Sequence, residues 1–242
     1  MTRAEAMAVV IPAHNEQALL GAALAAVYRA GRHPALVSTR LLVVVAADDC
    51  TDATESVARG AGALIAPLGS RSPGRARAAG AALALRALGL DPRGVWIAST
   101  DADSEVPYGW LAHQQACAEQ RWDAVVGTVR PQGWPPALTG VIRRHVQEYE
   151  EAGRHPGRPD HHPHVHGANL GVRASAYLRC GGFPALATGE DRALVAALMA
   201  SCHRVLWTRR LPVLTSARLT ARARGGYSDY LGGLVEPVRQ LD

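Results

Sequence analysis

The first hundred residues alternate short apolar runs with alanine-rich segments of helical spacing. Strands are predicted at 8–11, 41–46, 63–66 and 95–99, and helices at 16–30, 51–60 and 74–88. The apolar runs are continuous, which is typical of strands buried on both faces of a parallel sheet covered by helices. Right-handed crossovers would then place the loops that follow these strands at one edge of the sheet.

The pattern after residue 106 is less regular. Helices are predicted at 107–120, 136–152, 174–180, 191–201 and 227–234, and strands at 124–129, 168–172, 204–207 and 213–215. The segment 153–166 is polar and rich in Pro, Arg and His, so it is predicted to be a loop. Because no linker or repeat interrupts the chain, the sequence predicts an α/β domain over 1–242 with halves that meet near residue 106.

Composition narrows the classes of protein that the chain can represent. The 242 residues carry a net charge of +5, and all 26 basic residues are Arg, which excludes a P-loop lysine or a Schiff-base lysine. Aromatic residues make up only 5%, which argues against base stacking and favours a small anionic ligand over nucleic acid. The 4 cysteines form no C-x-x-C pair, so neither zinc nor a disulfide framework is indicated.

Localisation is predicted from the absence of two signals in the sequence. No apolar run approaches the roughly 20 residues of a membrane span, and the first residues do not resemble a signal peptide. We therefore expect a cytoplasmic protein without a transmembrane segment, and peripheral association with the inner membrane face stays open. The oligomeric state is not predicted.

Two carboxylates follow the apolar run 95–98 directly. Asp101 and Asp103 are two residues apart at the end of a predicted buried strand. Such an oxygen-rich, doubly negative site suits Mg²⁺ or Mn²⁺ carrying a diphosphate. Open α/β sheets bind ligands at this end of their strands, which favours a ligand site over a merely acidic turn.

Polar residues also follow the first two strands. Pro12, Asn15 and Glu16 come after the first strand, and we favour contact with a nucleoside over helix capping for the last two. Asp48 and Asp49 follow the second, where a carboxylate can accept a base N–H or ribose hydroxyls, and Asp49 is preferred for the base. The residues after them, Thr51 and Asp52, are interpreted as helix caps with a structural role.

Arginine supplies the candidate anion contacts. Arg75, preferred over Arg77, opens the helix at 74–88, and a helix N-terminus beside an Arg is a natural anion site; a solvated surface Arg is the alternative. Ser216 and Arg218, after the last predicted strand, are candidates for a diphosphate contact. A lone surface Arg is an equally good interpretation of Arg218.

Acidic and histidine clusters complete the candidate chemistry. Glu190 and Asp191 begin a predicted helix, either as first-turn acids or as a general base for a hydroxyl acceptor, and Glu190 is also a candidate for contact with metal, acceptor or diphosphate. Four histidines lie in one loop: His161 and His162 are expected to be solvated, whereas His164 and His166 are expected to be better ordered and are candidates for contact with metal, phosphate or acceptor.

In this order the clusters resemble those of the family 2 glycosyltransferases of the GT-A fold. The matching stretches are VVIPAHNE, VVVAADDCTDAT, GRARAAG, WIASTDADS, HGANLGVRASAYLRCGGF and the GED at 189–191. The resemblance covers residues from about 8 to 218. It implies a GT-A, Rossmann-like, mostly parallel central sheet flanked by helices, with a nucleotide-binding half at 1–106 and an acceptor-binding half at 107–242.

The resemblance also implies an activity and roles for single residues. The activity is that of a hexosyltransferase that uses Mn²⁺ or Mg²⁺ and a nucleotide diphosphate sugar, with a UDP-sugar favoured. Nucleoside contacts would come from Pro12, Asn15, Glu16, Asp49 and Arg75, with Asp101 near the ribose or sugar, Asp103 on the metal and Asp191 as the base of an inverting reaction.

The chain departs from the family pattern in ways that limit the prediction. The usual D-D-G-S-T-D-G-T segment is one residue shorter here, so Asp48 and Asp49 could exchange roles. The frequent Q-x-x-R-W motif and membrane helices are missing, which argues against a processive synthase and leaves a small or lipid-linked hydroxyl acceptor. A nucleotidylyltransferase, a retaining glycosyltransferase and a non-catalytic nucleotide-binding domain remain as alternatives.

Overall fold

A seven-stranded sheet forms the centre of the molecule in the computed structural model, which describes residues 3–134, 136, 139–154 and 157–218. The strands of this sheet are β1 (Ala6–Ala13), β2 (Arg40–Asp48), β3 (Leu64–Leu68), β4 (Val95–Ser99), β6 (Ala124–Val126), β8 (Leu170–Arg173) and β9 (Val205–Trp207). A smaller sheet contains β5 (Ser104–Glu105), β7 (Val129–Gln132) and β10 (Val213–Ser216).

The strand order of the large sheet is β3-β2-β1-β4-β8-β6-β9. Strand β1 pairs in parallel with β2, from Ala6 opposite Arg40 to Ala13 opposite Ala47, and in parallel with β4 on its other side. Among these seven described strands, β8 alone runs against its neighbours, β4 and β6. The predicted α/β fold with a mostly parallel central sheet is therefore confirmed, and strands from both sides of residue 106 belong to this one sheet.

Helices cover both faces of the sheet. They are α1 (Leu20–Gly31), α2 (Thr54–Gly60), α3 (Pro73–Leu88), α4 (Trp110–Glu119), α5 (Thr139–Glu151), α6 (Ala174–Arg179) and α7 (Glu190–Ala200). Alternate residues of β1 pack into different clusters: Val9 and Ile11 pack with α1 and α4, and Ala8 and Val10 pack with α3, α6 and α7. Burial on both faces explains the continuous apolar runs in the sequence.

Local signals set the limits of α3. Ser72 is its N-cap, Pro73 occupies the first turn, and Gly89 ends it with a left-handed φ of 61°.

The segment predicted as a helix from residue 16 begins only at Leu20, and the predicted strand 124–129 is two strands, β6 and β7, that belong to different sheets. The predicted helix at 227–234 lies outside the described residues.

In the part of the chain that the structure describes, no helix is both long enough and apolar enough to cross a membrane.

Candidate active site

A cavity of about 830 Å³ opens where β1, β2 and β4 end. Parallel pairing brings the carboxyl ends of these strands to one edge, and α5, the segment 163–168 and the start of α7 also line the cavity. Seven acids and four arginines line it, which makes it acidic although the chain is basic. They are Glu16, Asp48, Asp101, Asp103, Glu148, Glu190, Asp191, Arg71, Arg77, Arg192 and Arg218.

The carboxylate of Asp48 organises the loop before α3. It accepts hydrogen bonds from the backbone N–H groups of Ser70 at 2.6 Å, Arg71 at 2.9 Å and Ser72 at 2.8 Å. Burial works against the charged form, but these N–H groups hold the pKa of Asp48 below its usual value. Asp49, preferred from the sequence, forms an ion pair with Arg71, and of the two aspartates only Asp48 lines the cavity.

Asn15 has a role within the fold. Its side-chain oxygen accepts hydrogen bonds from the N–H groups of Thr51 at 2.7 Å and Asp52 at 3.3 Å, so it holds the loop after β2. Its φ of 54° is left-handed, a conformation that Asn tolerates better than most residues. Asn15 does not line this cavity, and its contact with a ligand stays a prediction, whereas Pro12 and Glu16 do line the cavity.

Arg77, rather than Arg75, reaches the cavity from α3. Its guanidinium donates to Ser99 at 3.0 Å and forms ion pairs with Asp101 and Glu190, while Arg75 is exposed on the helix surface. Burial opposes the charged form of Arg77, but the two carboxylates raise its pKa, so it stays positive. Helical spacing could have identified Arg77 in the sequence, because Arg77 lies on the same face of α3 as Gly80, Ala81 and Ala84, which packs on the sheet.

Asp103 lies beside Asp101 and Arg218. An Nη2 atom of Arg218 is 3.0 Å from Oδ2 of Asp103, and the same guanidinium forms a fork with Glu16. Burial raises the pKa of Asp103 to about 6; the charge of Asp101 adds to the increase, and Arg218 opposes it. The structure thus brings together Glu16, Asp101, Asp103 and Arg218, four of the residues singled out in the sequence.

The hard oxygens of Asp101 and Asp103 suit Mn²⁺ or Mg²⁺. Within the described residues, no set of three or more His, Cys, Asp or Glu side chains is arranged to hold a metal ion. Mg²⁺ is commonly bound by one or two carboxylates together with substrate phosphates, so this donor set fits a cation that arrives with a diphosphate.

Glu190 and Asp191 begin α7 but face different partners. Glu190 is buried against Arg77. Asp191 lines the cavity, and its Oδ2 accepts from the N–H of Gly167 at 2.7 Å while its Oδ1 accepts from the N–H of Arg192 at 2.7 Å. These contacts fix the direction of the Asp191 carboxylate.

Histidine and tyrosine rings line part of the cavity. Tyr149 stacks on His164 with ring centroids 3.7 Å apart, and it lies 5.8 Å from His166 and 6.1 Å from His145. All four residues line the cavity. Tyr149 and His145 were missed because both are on a helix, α5, that carries no motif.

His162 corrects an expectation from the sequence. It was expected to be solvated, but it is fully buried, and its Nε2 lies 3.1 Å from the carbonyl oxygens of Val126 and of Thr208. A ring N–H shared by these two carbonyls ties the segment 161–166 to β6 and to the residue after β9. The His-rich segment is thus part of the fold.

Comparison with known protein families gives one match. A family model described as Glycosyl transferase family 2 matches residues 8–181. No curated protein sequence matches the chain significantly.

Solved structures share the fold at low identity. S. aureus TarS in complex with UDP-GlcNAc has a TM-score of 0.62 and 14% identity, over 91% of this chain and 61% of that one. The mannosyltransferase PcManGT from Pyrobaculum calidifontis, in complex with GDP-Man and Mn²⁺, has a TM-score of 0.59 and 21% identity, over 94% and 60%. Glucosyl-3-phosphoglycerate synthase from Mycobacterium tuberculosis, in complex with Mn²⁺, UDP-glucose and phosphoglyceric acid, has a TM-score of 0.53 and 16% identity, over 98% and 77%.

The lengths of these proteins differ from that of the chain. It spans about 60% of the length of the TarS fragment and of the mannosyltransferase.

Proposed function

This chain belongs to glycosyl transferase family 2, and on that premise we propose that it transfers one sugar from a nucleotide diphosphate sugar to a hydroxyl group of an acceptor. A UDP-sugar is the favoured donor, and the acceptor is small or lipid-linked. The half before residue 106 would bind the nucleotide, and the rest of the chain would bind the acceptor.

One observation carries the proposal. The same cavity joins acids from the ends of three parallel strands to an oriented carboxylate, Asp191, at the start of α7. Its volume of about 830 Å³ lies in the range of small-molecule sites. Donor and acceptor can therefore meet between two sets of groups that have different tasks.

The nucleoside is assigned to the strand end of the cavity. Pro12 and Asp48 line it there, and Asp48, fixed by the loop before α3, takes the role that was expected of Asp49. Asp101 would face the ribose or the sugar while its ion pair with Arg77 holds it in place. Arg218 is available for the diphosphate, and His164 and His166 belong to the acceptor side.

Asp103, with Asp101 beside it, would hold Mn²⁺ or Mg²⁺. The bound cation would supply electrostatic stabilisation of the diphosphate as it leaves. Neighbours with this fold include complexes that contain Mn²⁺, which supports the proposal at the level of fold.

Asp191 is proposed as the general base of an inverting displacement. Its carboxylate takes the proton of the acceptor hydroxyl while that oxygen bonds to the anomeric carbon, and the bond from that carbon to the diphosphate oxygen breaks. The N–H groups of Gly167 and Arg192 orient the carboxylate for this task. General-base catalysis contributes about 10²–10⁴-fold to a rate.

Calorimetry with UDP, GDP, CDP and dTDP, each with and without Mn²⁺, tests the donor site. We expect one nucleotide to bind tightly, and we expect this binding to be lost without metal and in Asp103→Ala. Failure of all four to bind to folded protein would contradict the proposal.

Turnover of the matching nucleotide sugar then tests the base. Asp191→Asn should bind donor normally and lose about 10²–10⁴-fold in transfer rate. Near-wild-type transfer by this variant would remove the base assignment. Retention of the anomeric configuration would indicate a retaining enzyme, and release of pyrophosphate from a nucleoside triphosphate would indicate a nucleotidylyltransferase.

A further inference from the structure

Arg218 lies between two carboxylates on the strand side of the cavity. Its Nη1 is 3.0 Å from Oε2 of Glu16, and its Nη2 is 2.6 Å from Oε1 of Glu16 and 3.0 Å from Oδ2 of Asp103. The side chains of Glu16 and Asp103 are only 6% and 11% exposed. The guanidinium therefore neutralises two acids that are largely shielded from water.

A divalent cation and Arg218 compete for the same group. The Asp103 oxygen that Arg218 contacts is one of two that this carboxylate can offer to a metal. A cation bound at Asp103 would place like charges close together in a largely buried site, where their repulsion is weakly screened. Full engagement of Asp103 by both positive groups is therefore unfavourable.

The guanidinium of Arg218 is held at its outer edge. Within the described residues its Nε is buried without a hydrogen-bond partner, so the guanidinium is held through its two terminal nitrogens. Phosphate oxygens match the planar fork of a guanidinium as well as a carboxylate does. A diphosphate in the cavity would thus offer Arg218 a new partner at the moment when Asp103 is needed by the cation.

We propose that Arg218 is an exchangeable counter-ion that makes cation binding depend on the nucleoside diphosphate. It holds Asp103 and Glu16 when no diphosphate is bound. When the donor enters, Arg218 exchanges its contact with Asp103 for one with the diphosphate and keeps its pair with Glu16, which leaves Asp103 to the cation. The inference rests on the proposed function for the identity of the ligand. Linkage requires the effect to be reciprocal, so the cation must also strengthen diphosphate binding.

Mn²⁺ titrations of the full chain test this exchange. Free Mn²⁺ is followed by electron paramagnetic resonance, alone and with a saturating amount of the nucleoside diphosphate that binds most tightly. In the wild type we expect the diphosphate to raise Mn²⁺ affinity by about tenfold or more. In Arg218→Gln, Mn²⁺ alone should bind about five- to tenfold more tightly than in the wild type and diphosphate should bind more weakly. The factor by which diphosphate raises Mn²⁺ affinity should be smaller than in the wild type, and it stays above onefold because phosphate oxygens still bind the cation.

Two further variants distinguish the effect of the positive charge at residue 218 from the effect of the guanidinium shape and of charge elsewhere in the cavity. Arg218→Lys keeps the charge without the fork and should keep the weak wild-type affinity for Mn²⁺ alone. Arg71→Gln removes a positive charge from the same cavity, but the ion pair of Arg71 is with Asp49, so its affinity for Mn²⁺ alone should stay within about twofold of the wild type.

The outcomes are decisive in both directions. If Arg218→Gln binds Mn²⁺ alone as tightly as the wild type or more weakly, the exchange is overturned. It is also overturned if diphosphate does not change the Mn²⁺ affinity of the wild type, a result that can be obtained without any variant. A protein that binds no nucleoside diphosphate would contradict the proposed function instead. In that case the comparison of wild type and Arg218→Gln with Mn²⁺ alone still decides whether Arg218 competes with the cation.

Discussion

Arg77 is the buried positive charge that balances Asp101 and Glu190. Its side chain and that of Glu190 are each only 6% exposed. Removal of one partner from a buried ion pair leaves the other charge uncompensated, which typically costs about 3–5 kcal/mol. We expect Arg77→Met to lower the free energy of unfolding by about that amount in urea titrations, with the exposed Arg75→Met as the matched control at about 0.5 kcal/mol or less. Equal effects of the two substitutions would contradict this role.

Gly167 is adjacent to the same guanidinium. A Cβ at residue 167 would lie 2.5 Å from Cζ of Arg77 and closer still to its Nη2. Arg77 cannot yield easily because its nitrogens are bound to Ser99, Asp101 and Glu190. Gly167→Ala should therefore cost about 1–3 kcal/mol of unfolding free energy, measured by urea titration.

Two comparisons make the Gly167 prediction specific. A Cβ added at Gly140 in α5 would meet no atom of the described residues within 4 Å, so Gly140→Ala should be neutral or stabilising by up to about 1 kcal/mol. In an Arg77→Met background the cost of Gly167→Ala should fall, because the smaller side chain can yield. An undiminished cost in that background would show that the strain lies elsewhere.

At the scale of elements, the sequence predicts the limits of a helix or strand best where they depend on signals within that element. Strand β4 is predicted at its observed limits, and the prediction for α3 differs by one residue, because an apolar run and a capped helix are local signals. The split of 124–129 was not predicted, since the pairing partner of β7 is β10, which is remote in the chain. Tertiary pairing, and not propensity, decides where β6 ends.

The same division applies to the candidate site. The carboxylates after β1, β2 and β4 were found because parallel strands end at one edge. The sequence favoured Asp49 over Asp48 and Arg75 over Arg77, but Asp48 and Arg77 are the residues that line the cavity. Residues close together in a loop or helix point in different directions, and a single sequence does not show which of them faces a cavity. Contacts made by α5, such as those of Tyr149, depend on packing and left no local signal.

The loop before α3 depends on a single carboxylate. Asp48→Asn replaces an acceptor of three backbone N–H groups by one that binds them less well, and we expect a loss of about 1–3 kcal/mol in unfolding free energy near neutral pH. The pKa of Asp48 is lowered in the folded state, so its contribution is present above the unfolded pKa of about 4 and is lost as pH falls through the folded value. Urea titrations of both proteins across this range measure the difference, which should shrink in acid. A difference that grows in acid would contradict the account.

At the scale of the whole molecule, charge is distributed unevenly. The chain carries a net charge of +5, yet its cavity is lined by more acids than arginines. A basic exterior attracts anionic ligands over distance, while an acidic cavity requires a cation or a guanidinium beside any diphosphate that enters. The basic net charge and the acidic cavity together favour a ligand that combines a polyanion with a divalent cation.

The pH dependence of global stability should report the buried histidines. Burial lowers the pKa of His162 and of His166 to about 4, against about 6.5 in the unfolded chain. Between these values the unfolded state binds more protons than the folded state, so the free energy of unfolding falls as pH decreases from about 6.5 to about 4. Each histidine that titrates in this way contributes a slope of up to about 1.4 kcal/mol per pH unit.

A variant can assign this slope to one ring. Gln can donate to the carbonyls of Val126 and Thr208 as the Nε2–H of His162 does, but it does not titrate. We expect urea titrations of His162→Gln between pH 4 and 6.5 to show a shallower decline than the wild type, even if its stability at pH 7.5 is lower. Parallel declines in the two proteins would mean that His162 is not one of the groups that protonate on unfolding.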